Sequence, residues 1–114
     1  MLTIPERTFN FGVRIVKLAS KLPRNSSGFA ISSQIVRSGT SVGANVEEAQ
    51  NAGSKKEFIR GITIALKEAR ETYYWLRIIM ESGLIKNGLQ PLIGENLEIV
   101  KILTSSVKNA KTKL

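Results

Sequence analysis

The 114-residue chain contains no cysteine, no histidine and no aspartate. These absences exclude whole classes of chemistry. Zinc, haem and iron–sulfur centres draw their ligands from Cys and His. A Ser-His-Asp type triad lacks its base, and a switch near neutral pH lacks its imidazole. No disulfide can form, which suits a reducing compartment. Proline is scarce, with Pro5, Pro23 and Pro91 alone. No apolar run is long enough for a signal peptide or a bilayer span, so a soluble, cytoplasmic protein is expected. Acid is also in short supply: 9 Glu stand against 17 Lys and Arg, a net charge of +8. Such an excess on one small domain favours a polyanionic partner, nucleic acid before membrane.

What remains is helical periodicity. Ser54 to Met80 opens on a capping-box pattern, Ser54 with Glu57. Phe58, Ile62, Ala65, Ala69, Tyr73, Leu76 and Met80 follow at helical spacing, and Gly83 stands where a left-handed C-cap belongs. Three further helices are predicted, giving spans of about 4–22, 28–51, 54–82 and 88–112 in a single domain over 1–114. The first starts from Thr3 as N-cap, with Pro5 in its first turn and Glu6 completing a capping box, and stops before Pro23. Arg24-Asn-Ser-Ser-Gly28 reads as a polar linker. The second helix has Ile31, Ile35, Val42, Val46 and Ala49 as its core face, with Ser38 in the gap. Its middle is rich in poor helix formers. Gly39 and Gly43, one turn apart, there predict close approach of a neighbouring helix; no Walker-type Gly-Lys-Ser/Thr ending follows them. Asn51-Ala-Gly53 predicts a glycine C-cap and a turn tight enough to make the second and third helices antiparallel neighbours. In the fourth, Ile93, Leu97, Val100, Leu103, Val107, Ala110 and Leu114 make the predicted core stripe. The fold expected is an all-α, up-and-down antiparallel four-helix bundle.

Two helices carry more apolar surface than one copy needs. In the first, apolar residues occupy an arc of roughly 220°, where a single contact needs about 100°. In the third, Ile64, Trp75, Ile78 and Ile79 lie away from the core stripe. Phe9, Val13, Ile64, Trp75 and Ile78 are therefore the expected interface of a homo-oligomer. Arg7, Arg14, Lys17, Lys21 and Arg24 share one side of the first helix and its exit. With Arg37, and with Lys101 and Lys108 as further candidates, they are the expected contacts to an RNA or DNA backbone. Taken singly, each is better read as a solvated surface cation.

Glutamates, lysines and tyrosines are the only acid–base groups left. Glu47 and Glu48 point to different sides of a helix. Glu68 and Glu71 share a face but lack the His partners of a di-iron bundle, and pairing with Lys67, Arg70 or a neighbouring subunit is expected of them. No metal, no cofactor and no catalytic residue is expected. A protein-interaction subunit, for instance an accessory to a polymerase, is the alternative to a nucleic-acid binder.

Several segments together carry a resemblance: Gln34-Ile-Val-Arg37-Ser38, Ser41-Val-Gly-Ala-Asn45-Val-Glu-Glu-Ala49, Ser54-x-x-Glu57-Phe58, Ile64-Ala-Leu-Lys-Glu-Ala69 and Glu71-Thr-x-Tyr74-Trp-Leu76. Over residues 5 to 110 the chain resembles the bacterial family encoded in intervening sequences of 23S rRNA genes. It is also similar to the accessory variability protein of diversity-generating retroelements. Where many members carry Asn-Ile-Ala-Glu-Gly, this chain has Asn45-Val-Glu-Glu-Ala49. The resemblance implies a left-handed bundle assembling into a ring, typically a pentamer, with a basic surface for nucleic acid or a reverse transcriptase.

Overall fold

The computed structural model describes residues 1–113. Four helices follow one another: α1 (Ile4–Ala19), α2 (Ser26–Gln50), α3 (Lys55–Ser82) and α4 (Gln90–Thr112). No strand is present among the described residues. Each helix packs against its neighbours in sequence, α4 returns to α1 along the sparsest seam, and the diagonal pairs α1–α3 and α2–α4 do not meet. This is an up-and-down four-helix bundle, 47 × 22 × 21 Å.

The helix ends follow from local chemistry. At α1 the Thr3 hydroxyl accepts from the Glu6 amide at 3.2 Å, and Glu6 Oε1 accepts from the Thr3 amide at 2.9 Å. That amide, with the Thr3 hydroxyl, holds the Glu6 carboxyl below its ordinary pKa. α1 stops at Ala19, three residues before the predicted end. The Lys21 and Leu22 amides bond instead three residues back, to Leu18 O and Ala19 O. This tighter turn tucks Leu22 into the core. The predicted linker after Pro23 is mostly helix. Asn25 is the N-cap, accepting from the Gly28 amide at 2.9 Å. Gly28 lies against Pro23 so closely that a Cβ would fall 1.8 Å from the Pro23 carbonyl oxygen.

At the α2–α3 turn, Asn51 is the C-cap and Gly53 keeps negative φ, so the predicted left-handed glycine is absent there. The Ser54 hydroxyl caps α3 as expected, but Glu57 reaches the amide of Gly53, not that of Ser54. Gly83 ends α3 in the left-handed region at φ 75°.

The core runs the length of the bundle around Phe11, Ile15, Ile35, Val42, Val46 and Leu76. Gly39 and Gly43 fulfil their expectation. A Cβ on Gly43 would meet the Thr8 carbonyl oxygen at 3.0 Å, and one on Gly39 would meet Ile15 at 2.7 Å. Among the described residues four polar ones are fully buried: Thr8, Ser38, Thr72 and Asn96. The Thr72 hydroxyl links the Ser38 hydroxyl at 2.9 Å to the Glu68 carbonyl oxygen at 2.8 Å. Asn96 Nδ2 donates to the Ala69 carbonyl oxygen at 3.1 Å, while its Oδ1 has no partner among the described residues.

Two of these polar residues displace predicted faces. α4 buries Leu92, Ile93, Asn96, Ile99 and Leu103, so Leu97 is exposed and the predicted stripe lies about one residue off. In α3, Thr72, Leu76 and Ile79 point inward, leaving Tyr73 half-buried. Ile79, expected outside, is in the core because buried Thr72 defines a stripe through it. Leu114 lies outside the described residues.

Candidate nucleic-acid and self-association surface

The six predicted nucleic-acid contacts divide into two groups. Arg7 reaches from α1 to α4, where its Nε and Nη2 each bond a Glu95 carboxylate oxygen at 2.8 Å. The fork geometry matches a carboxylate, and this hydrogen bonding raises the Arg7 pKa further above its ordinary value. Arg37 likewise turns to α3. Its Nη1 lies 3.3 Å from Glu68, its Nη2 pairs with Glu71, and Gln34 accepts from it at 3.2 Å. Within the chain Glu68 and Glu71 are thus taken up by Arg37, not by the expected Lys67 or Arg70. Both arginines clamp neighbouring helices together.

Arg14, Lys17, Lys21 and Arg24 form the other group. All four are exposed, and none has a carboxylate partner among the described residues. α1 sets the first two on one side, and the tight exit turn carries Lys21 and Arg24 onward past its C-terminus. Lys101 pairs with Glu98 at 3.4 Å, whereas Lys108 is exposed.

Beside this basic side runs an apolar one. Phe9, Val13 and Val16 recur at i, i+4 and i+7 and remain 60%, 39% and 46% exposed. With Thr40 and Ala44 of α2 they wall a groove of about 500 Å³, whose floor is Gly12 and Gly43. The groove exists because the glycines that let α1 and α2 approach have no side chains to fill it. Lys17 and Glu47 stand at its rim. Val16 escaped the predicted interface, although its spacing from Phe9 and Val13 on the α1 wheel gave the signal. On α3 the predicted interface residues are less available. Ile64 is exposed, while Trp75 and Ile78 are half-buried. The Trp75 indole Nε1–H donates to Glu71 at 3.0 Å.

Among the described residues no three potential ligand residues gather to hold a metal ion. No described helix is long and apolar enough to cross a membrane.

Comparison with known proteins places the chain. No curated protein matches it. A crystal structure of a protein of unknown function from the S23 ribosomal protein family of Bacteroides thetaiotaomicron VPI-5482 is 40% identical, with a TM-score of 0.87. The match covers 93% of this chain and 99% of that one. The model of the 23S rRNA-intervening sequence proteins matches residues 1–105. By this match over nearly its whole length, the chain belongs to the 23S rRNA-intervening sequence protein family.

Proposed function

We propose that the protein is a non-catalytic homo-oligomer that binds nucleic acid through the phosphate backbone, using Arg14, Lys17, Lys21 and Arg24. The observation that carries this reading is the partition of cations. Where Arg7 and Arg37 are neutralised by glutamates, these four, on α1 and in its exit turn, stay exposed and uncompensated among the described residues. Uncompensated cations in a row suit phosphates, which are regularly spaced and carry no sequence information. The reference to 23S rRNA in the family's name makes RNA the first polyanion to try.

Self-association is the second half of the proposal. Phe9, Val13 and Val16 form an apolar strip whose natural cover is a second copy of the chain. Exposed Ile64 of α3 is assigned to a lesser part of that contact, and the resemblance suggests five copies in a ring. Repetition multiplies weak phosphate sites through effective concentration.

The test is the salt dependence of affinity for a generic single-stranded RNA. Replacing Arg14, Lys17 and Lys21 together by Gln removes three phosphate contacts. The slope of log affinity against log salt then falls by about 2, at roughly 0.7 per contact. An unchanged slope rules this surface out.

A further inference from the structure

α3 carries a second row of cations. Lys56, Arg60, Lys67, Arg70 and Arg77 are all exposed. At about 100° per residue they fall within an arc of roughly 100°, and at 1.5 Å per residue the row is about 32 Å long. Glu68 and Glu71, at the border of the row, are held by Arg37 of α2, and the exposed Glu81 closes the row one turn beyond Arg77. None of the five cations is within ion-pair distance of a carboxylate among the described residues. α1 and α3 occupy diagonal corners of the bundle, so this row faces away from the basic side of α1.

An aromatic ring lies within the row. Tyr74 is 48% exposed. The Trp75 ring meets it edge-on at 5.1 Å and 75°. The Arg77 guanidinium sits 4.8 Å from the Tyr73 ring centre and 5.9 Å from that of Tyr74. An exposed ring braced in this way offers a face on which a base can stack, among cations that hold the flanking phosphates.

We infer that the outward row of α3 is a separate track for single-stranded nucleic acid, with the backbone along Lys56, Arg60, Lys67, Arg70 and Arg77 and a base on Tyr74. The inference rests on the reading that this protein binds nucleic acid, but not on the cations of α1. A single strand fits better than a duplex, whose stacked bases leave a tyrosine face nothing to receive. At a phosphate repeat of about 3.4 Å along a stacked strand, the row matches roughly nine nucleotides. A lipid surface is disfavoured, because a helix lying on a membrane needs a continuous apolar face beside its cations. Among the described residues the α3 row has only Ile64 and Tyr74 as large exposed apolar neighbours.

Fluorescence anisotropy with the full chain tests this, using a labelled RNA of about twelve nucleotides, single-stranded and as the matching duplex. Arg60→Gln, Lys67→Gln and Arg70→Gln together are expected to lower the salt slope for the single strand by about 2. They should do so equally in the background of the α1 triple variant. Tyr74→Ala is expected to weaken single-strand binding about tenfold and duplex binding less than twofold, with Tyr74→Phe like wild type. An α3 triple variant with an unchanged slope overturns the inference, and if the α1 triple still lowers the slope, the α1 proposal stands. The opposite result, α3 active and α1 silent, supports the track and removes the α1 proposal. Equal losses of duplex and single strand on Tyr74→Ala overturn the stacking. Binding to phosphatidylserine vesicles with no binding to either RNA overturns the track in favour of a membrane.

Discussion

Replacing Gly43 by Ala should destabilise the bundle, while the same change at Gly94 should stabilise it. Both glycines lie inside helices with negative φ. In both, alanine gains about 1 kcal/mol of helix propensity. They differ in what the new methyl meets. On Gly94 it finds nothing within 4 Å. On Gly43 it lands 3.0 Å from the Thr8 carbonyl oxygen, 3.1 Å from the Thr8 carbonyl carbon and 3.3 Å from the Phe9 amide nitrogen. These are backbone atoms of α1 and cannot rotate away, so α1 must move off α2 by a few tenths of an ångström. Phe11, Ile15, Val42 and Val46, all fully buried in the shared core, then pack less closely. Overpacking of this kind costs about 1–3 kcal/mol. After the propensity gain, Gly43→Ala is expected to lose about 1 kcal/mol, near 4 °C in Tm for a domain of this size. Gly94→Ala is expected to gain somewhat under 1 kcal/mol. Urea and thermal melts followed by circular dichroism, at two protein concentrations tenfold apart, separate folding from association. Stabilisation of both variants by the same amount would refute the close α1–α2 approach.

The other expectations concern polar contacts. Arg7→Gln and Glu95→Gln should each cost about 1 kcal/mol, and the double variant little more than either, because the exchange removes one shared interaction across the α1–α4 seam; fully additive losses in a double-mutant cycle would contradict the pairing. Asn96→Asp keeps the shape but places a charge beside the Ala69 carbonyl oxygen in a dry core. A loss of about 3 kcal/mol or more is expected at pH 7. Burial raises this carboxyl's folded pKa, so the penalty is absent below the unfolded value of about 3.9 and grows as pH rises through it; a stability difference independent of pH would count against the buried placement. Glu6 behaves oppositely. Its folded pKa is depressed by the Thr3 amide and hydroxyl, so its support of α1 is present above the ordinary value of 4.5 and fades as pH falls through the folded pKa. A carboxyl titration by NMR with its midpoint at or above 4.5 contradicts the capping box.

The four helices, their order and the close approach of a neighbouring helix at Gly39 and Gly43 were legible in the sequence, because spacing and caps are local signals; that the neighbour is α1 was not. The faces were harder to read wherever the core is polar. Thr72 and Asn96 look like surface residues in a hydropathy pattern, yet each satisfies a hydrogen bond inside the bundle. Stripes drawn through apolar residues alone pass them by, which sends Ile79 outward and Leu97 inward. The candidate surface was partly legible for a related reason. The wheel of α1 separates cations from apolar residues, but the carboxylate that each cation meets lies on another helix. Glu95 is 88 residues from Arg7, and Glu68 and Glu71 are 31 and 34 residues from Arg37. No local pattern reports such pairings. The same long-range pairing takes up Glu68 and Glu71 at the border of the cationic row of α3, which no pattern within α3 reports.

Multi-angle light scattering of the purified protein, with and without the single-stranded RNA, probes the account at its root. Uncovered Phe9, Val13 and Val16 predict a mass several times 12.6 kDa at micromolar concentration, rising further with RNA. They also predict dissociation on Val13→Lys. A folded species of 12.6 kDa that ignores RNA would contradict both the self-association and the phosphate-binding surface.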